Sequence, residues 1–131
     1  MDRDESNSRM PSRIKEAARL ICSTRYFTAF TGAGVSVESG IPTFRGPGGL
    51  WSTYDPGMLE LDYFLAHPEK SWPVIREIFC EHFGKAEPNA AHVALARLET
   101  AGQLKTLITQ NIDNLHHDAG SRAPDSVQPL G

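Results

Sequence analysis

Two cysteines in 131 residues, Cys22 and Cys80, are too few and too far apart for a disulfide framework or a C-x-x-C metal site. Both fall in helix-like segments and read as buried free thiols. Dense basic runs are lacking too, and the formal charge of −3 leaves no electrostatic footprint for nucleic acid or an anionic membrane surface. No apolar stretch approaches the ~18 residues that a membrane span requires. Residues 1–10, MDRDESNSRM, have no apolar centre of the kind a signal peptide needs. A soluble, cytoplasmic chain is the expectation. There is no internal repeat and no low-complexity tract. What is present, 40% hydrophobic residues over 131 positions, suits one domain with a modest core.

Residues 1–10 are polar and of mixed charge and read as a disordered tail, 11–122 as the folded domain and 123–131 as a divergent C-terminal tail. Ile14, Ala17, Ala18 and Ile21 recur at i, i+3, i+4 and i+7. They predict an amphipathic helix from Pro11 or Ser12 to about Ser23, with its apolar stripe on a sheet. Arg25–Thr31, RYFTAFT, predicts a strand that stops at Gly32. Gly40–Gly57 holds five glycines and three prolines, a composition too irregular for a packed element. Loops of that length are functional or disordered. Asp62–Phe83 carries two helix-like pieces, with Pro68 and Pro73 near their starts and Trp72, Ile75, Ile78 and Phe79 as candidates for burial. Asn89 can cap a helix whose Ala91, Ala94, Leu95 and Leu98 share a face and which Gly102 stops. Leu104–Thr109, LKTLIT, suits a buried parallel strand, and Ile112, Leu115 and Ala119 predict a short helix closed by Gly120. The class is α/β, but two strands fall short of the roughly five or six of a doubly wound parallel sheet. A partial Rossmann-like domain, incomplete at its C-terminal side, fits that count.

A strand ending in Gly32-Ala33-Gly34 permits positive φ and lets an anion reach backbone N–H groups with no Cβ in the way. An ordinary strand-to-helix turn reads the same. The hydride-transfer fingerprint needs a third glycine and an acidic residue about 20 positions on. Here Val37 stands where that glycine belongs, and Asp55 lies in a loop between Tyr54 and Pro56, which disfavours a dehydrogenase.

As a set, GAGVSVESGIPTFRG from Gly32, GLWSTY from Gly49 and TQNIDNLHHDAGS from Thr109 resemble the sirtuin family of NAD-dependent protein deacylases, over about residues 12–122. The resemblance implies an NAD-binding domain. It implies that Gly32, Ala33, Gly34, Val35, Ser36 and Val37 cradle the diphosphate and adenosine side of NAD. Thr43, Phe44 and Arg45 then belong to a loop that closes over the nicotinamide ribose, Arg45 meeting phosphate charge and Phe44 shielding the reactive carbon from water. Phe44 also reads as an ordinary loop anchor. By the same resemblance Gln110 contacts ribose hydroxyls, and Asn111, Ile112 and Asp113 hold the nicotinamide carboxamide. Asn111 and Asp113 are equally residues that cap a following helix. His116 and His117 point about 100° apart on a helix, so a shared metal is disfavoured; His116 reads as packed and His117 as solvated.

The chain departs from the family at RAPDSVQPLG. There the resemblance calls for a further strand ending in Leu-His-Gly, whose histidine is the general base. Val127, Leu130 and Gly131 echo the pattern without a histidine, and Pro124 and Pro129 suit a central strand poorly. The zinc module of two cysteine pairs expected for the full family has no ligands in this chain. An NAD-dependent lysine deacylase by family, inactive as a 131-residue chain, is the expectation. The alternatives are a fragment that binds NAD or ADP-ribose without catalysis, and an NAD-dependent ADP-ribosyltransferase or NAD hydrolase. Acetylated protein lysine is the implied substrate. Aligning from His67-Pro68-Glu69-Lys70 puts Ile75 and Ile78 where desuccinylating sirtuins carry Tyr and Arg, which favours a neutral acyl group. An open sheet edge makes self-association an expectation as well.

Overall fold

The computed structural model describes residues 4–122 and 126–127, with side chains described for 11–122. Among the described residues three parallel strands form a sheet in the order β1 (Phe27–Thr31), β2 (Leu104–Thr109), β3 (Ser126–Val127). Parallel neighbours require a long crossover. Between β1 and β2 the crossover holds α2 (Leu61–Ala66), α3 (Pro68–Glu77) and α4 (Ala90–Thr100). A helix α1 (Asp4–Ser23) precedes β1, and a short α5 (Leu115–Asp118) follows β2. The short β3 brings Val127 beside Ile108, so a third strand forms where the prolines argued against one. Leu130 and Gly131 lie outside the described residues.

The core sits between the sheet and α4. Ala29, Leu104 and Leu107 are buried there, with Phe27, Leu95 and Leu98 packed against them. Burying each leucine side chain stabilises the fold by about 1.5–3 kcal/mol. The helix ends as its sequence predicts. Asn89 Oδ1 accepts from the Ala91 N–H, and Gly102, at φ 74°, lets its own N–H reach Glu99 O while Gln103 N–H reaches Leu98 O. That pair of bonds is a Schellman stop, which needs a residue tolerant of the left-handed region.

Several expectations are corrected. α1 begins at Asp4, so residues 4–10 are helical rather than a tail, and Pro11 lies inside the helix instead of starting it. One interior proline removes a single backbone hydrogen bond and need not end a helix. The stripe at Ile14, Ala17 and Ala18 is exposed and Ile21 only half-buried, because no sheet face lies over it among the described residues. In α4 the inward residues are His92 and Ala96 rather than Ala91 and Ala94. Trp72 and Phe79 are exposed; Ile75 is half-buried and Ile78 fully buried. Cys22 and Cys80 are free but exposed. Beyond Glu77 the helix widens into a π turn at Ile78–Phe83, which sequence periodicity does not signal. No described helix is long and apolar enough to cross a membrane.

Candidate functional site

β1 and β2 end in register, Thr31 beside Thr109, and Gln110 N–H donates to Thr31 O at 3.2 Å. The chain therefore leaves both strands on the same sheet edge, where ligands of open α/β sheets bind. From β1 it enters a tight 3₁₀ turn, Ala33–Ser39, that ends at Gly40 in the left-handed region, φ 89°. From β2 it delivers Gln110, Asn111, Ile112 and Asp113.

Ser36 joins the two. It has no exposed surface, and its hydroxyl donates to Asp113 Oδ2 at 2.6 Å. Asn111 Nδ2 donates to Ser36 Oγ at 3.3 Å and to Gly32 O at 3.0 Å. The His92 ring, wholly buried in the first turn of α4, completes the cluster with Nε2 at 3.4 Å from Ser36 Oγ. Its tautomer follows from its other nitrogen: Nδ1 faces the Asn89 backbone N–H at 3.2 Å and must accept. The proton thus sits on Nε2 and points at Ser36. A serine hydroxyl has one hydrogen and two lone pairs, and here each has a partner.

His116 stands behind this cluster, also buried, edge-on to His92 with ring centroids 4.8 Å apart. Its Nε2 lies 2.8 Å from Thr31 Oγ1, while Nδ1 has no partner among the described residues. An unpaired buried lone pair costs less than an unpaired N–H, so Nε2 carries the proton and donates to Thr31. Burial lowers the His92 pKa, with Asp113 acting in the opposite direction. Burial and then His92 lower that of His116, opposed by Asp113 and Glu99. Both shifts favour the neutral rings. His117 is exposed, as expected.

Glycine has a different purpose here from the one its sequence suggests. Gly32 is extended, φ −138°, and neither it nor Gly34 has positive φ. At Gly32 the need is clearance: a Cβ there would stand 2.5 Å from Gln110 Nε2, which lies over it. Around the Cβ position of Gly34 there is open space.

The structure thus gathers Gly32, Ala33, Gly34, Val35, Ser36 and Val37 against Gln110, Asn111 and Asp113. Ile112 is 52% exposed at the same edge, so it does not share the buried side of His116. Asp113 Oδ1 also accepts from the Leu115 N–H at 3.0 Å, but the cap position of α5 is Asn114, so neither Asp113 nor Asn111 is its cap residue. Thr43, Phe44 and Arg45 belong to a separate loop whose bonds run inward. Leu50 N–H donates to Thr43 O, Trp51 N–H donates to Phe44 O, and the Phe44 and Trp51 rings lie 5.2 Å apart. Phe44 and Arg45 are exposed, and the loop joins the turn through Ile41 N–H to Ser36 O at 3.3 Å. Sequence reasoning missed His92 and Thr31 as members of the cluster. The available signal was Asn89-x-x-His92, a cap residue followed three positions on by a side chain able to return the bond.

The chain is similar over most of its length to known proteins. The family model described as Sir2 family matches residues 32–128. An NAD-dependent protein deacetylase of Caldivirga maquilingensis is 51% identical over 110 residues, which cover 82% of this chain and 41% of that protein. An NAD-dependent protein deacylase 2 of Archaeoglobus fulgidus is 47% identical over 114 residues, 86% of this chain and 44% of its own. Among solved structures, a mutant Sir2 homologue in complex with ADP-ribose superposes with a TM-score of 0.79 at 46% identity, covering 86% of this chain and 45% of that one. A Sir2 structure with p53 peptide and NAD+ gives 0.75 at 41% identity, over 88% and 44%. The chain spans less than half the length of these relatives.

Proposed function

Because the chain belongs to the Sir2 family, we propose that it is the dinucleotide-binding part of an NAD-dependent protein-lysine deacylase. The observation that carries this reading is the Ser36–Asn111–Asp113 cluster set beside Gly32. Its chemistry fits the group. Asp113 uses one acceptor site on each oxygen, for Ser36 and for the Leu115 N–H, and a carboxylate has about four. Lone pairs remain for a carboxamide NH₂. Gly34 leaves space for phosphate beside the turn, and exposed Gln110 has an amide for ribose hydroxyls. Ala33, Val35, Ser36 and Val37 would line the diphosphate side, Asn111 and Ile112 the nicotinamide side. Thr43, Phe44 and Arg45, on their exposed loop, would cover the ribose.

NAD, held by these residues, would supply the activated ribose to which an acyl group is transferred. In this reading Asn111, Ile112 and Asp113 would orient the carboxamide. This stretch of chain contains no histidine in a Leu-His-Gly, and losing a general base alone costs ~10²–10⁴ in rate. We therefore infer ligand binding without turnover for the stretch alone. A neutral acyl group remains the preferred substrate for the whole protein, although buried Ile78 does not present a surface for it here.

Calorimetry and thermal unfolding with NAD and ADP-ribose test the reading. Heat of binding is expected, together with a stabilisation near 2.7 kcal/mol at about 100 times Kd. The absence of both heat and a shift in Tm would remove it. Nicotinamide release without an acyl substrate would point to ADP-ribosyl transfer or NAD hydrolysis instead.

A further inference from the structure

Asn89 does more than cap α4. Its Oδ1 accepts from the Ala91 N–H at 2.9 Å, which fixes the amide so that Nδ2 points away from the helix. Nδ2 then donates to Val35 O at 2.7 Å and to Ser39 Oγ at 3.0 Å, residues 54 and 50 positions earlier in the chain. Both amide hydrogens are thereby committed to the outer side of the 33–39 turn. On the inner side, Asn111 and Asp113 hold the same turn through Ser36. The Asn89 backbone N–H also sets the tautomer of His92, which aims its own proton at Ser36.

We infer that Asn89 is a positioning residue for the dinucleotide pocket: its amide clamps the turn that faces the ligand, independently of its cap to α4. This rests on the NAD reading for the ligand, but the clamp itself is visible in the protein alone. Displacing such a turn by a few tenths of an ångström misaims every backbone group it presents.

The test uses Asn89→Ser and Asn89→Ala. Serine keeps a cap oxygen and removes the amide donors; alanine removes both. ADP-ribose affinity, measured well below Tm, is expected to fall about tenfold in both variants alike, while alanine unfolds at a distinctly lower temperature than serine. Affinity that tracks Tm, or that matches wild type in the serine variant, would overturn the inference. If the wild-type chain binds no ADP-ribose, the NAD reading fails, and amide exchange decides the clamp separately. Faster exchange confined to residues 33–39 in Asn89→Ser, with α4 unchanged, supports it; wild-type exchange there refutes it.

Discussion

Ser36 and Asp113 lie 77 positions apart in the chain, and their side chains meet at 2.6 Å. Neither could be placed by the other's local sequence. The contact exists because β1 and β2 are adjacent and parallel, so that the first turn after one strand reaches the loop after the other.

Ser36→Ala should destabilise the protein by about 1–3 kcal/mol, since it strands the His92 Nε2–H and removes a partner from Asp113 and Asn111. Ser36→Cys, close in shape and a weaker hydrogen-bonding group, should fall between. Urea unfolding at fixed pH measures both; an alanine variant as stable as wild type would mean that the network contributes nothing.

Stability should fall as pH drops below about 6.5, the ordinary histidine value. The folded pKa values of His92 and His116 are lowered by burial, so the unfolded chain binds protons first. Stability from these groups is thus complete above the unfolded pKa and declines on acidification toward the folded values. His116→Gln, with an amide in place of the ring, should flatten a plot of Tm against pH between 7 and 5. An unchanged slope in both His116→Gln and His92→Gln would contradict this.

Two glycines should respond oppositely to alanine. At Gly49 a Cβ would meet the Thr43 and Phe44 carbonyl oxygens at 2.9 Å, backbone that cannot step aside, so Gly49→Ala should cost about 1–3 kcal/mol. At Gly32 the obstacle is the end of the Gln110 side chain, and the backbone is extended. Gly32→Ala should leave Tm within a few degrees yet weaken ADP-ribose binding by displacing Gln110. Paired unfolding and calorimetry separate the two outcomes.

β1 is an edge strand in the described sheet, and Phe30 on it is 66% exposed. That combination favours association with other chains. Phe30→Lys should shift the 131-residue chain toward monomer in sedimentation experiments. The same distribution for both proteins would place any self-association elsewhere.

Local signals in the sequence carried the parts of the fold that local physics determines. β2 runs over the predicted Leu104–Thr109, and α4 starts and stops at its Asn and Gly. Patterns that need a partner failed wherever the partner is not among the described residues. The stripe of α1 lies exposed, and the rings of Trp72 and Phe79 are covered only in part, each by one edge-on ring, Phe64 and Phe83. In α4 the failure has another cause. Counting histidine as polar selects Ala91 and Ala94 for the inner face, whereas a hydrogen-bonded His92 is the residue buried there. In the site, the motifs assigned Ser36 to the diphosphate side and Asn111 and Asp113 to the carboxamide, without revealing that they bond to each other.

The alignment of Thr31 with Thr109 makes the pocket sensitive to strand length. Inserting one residue into β2 would carry Asn111 and Asp113 about 3.3 Å along the strand axis and turn each to the opposite face. Ser36 would then face the wrong neighbour. Homologues that preserve this pocket should therefore keep constant the length of the six residues that end at Thr109.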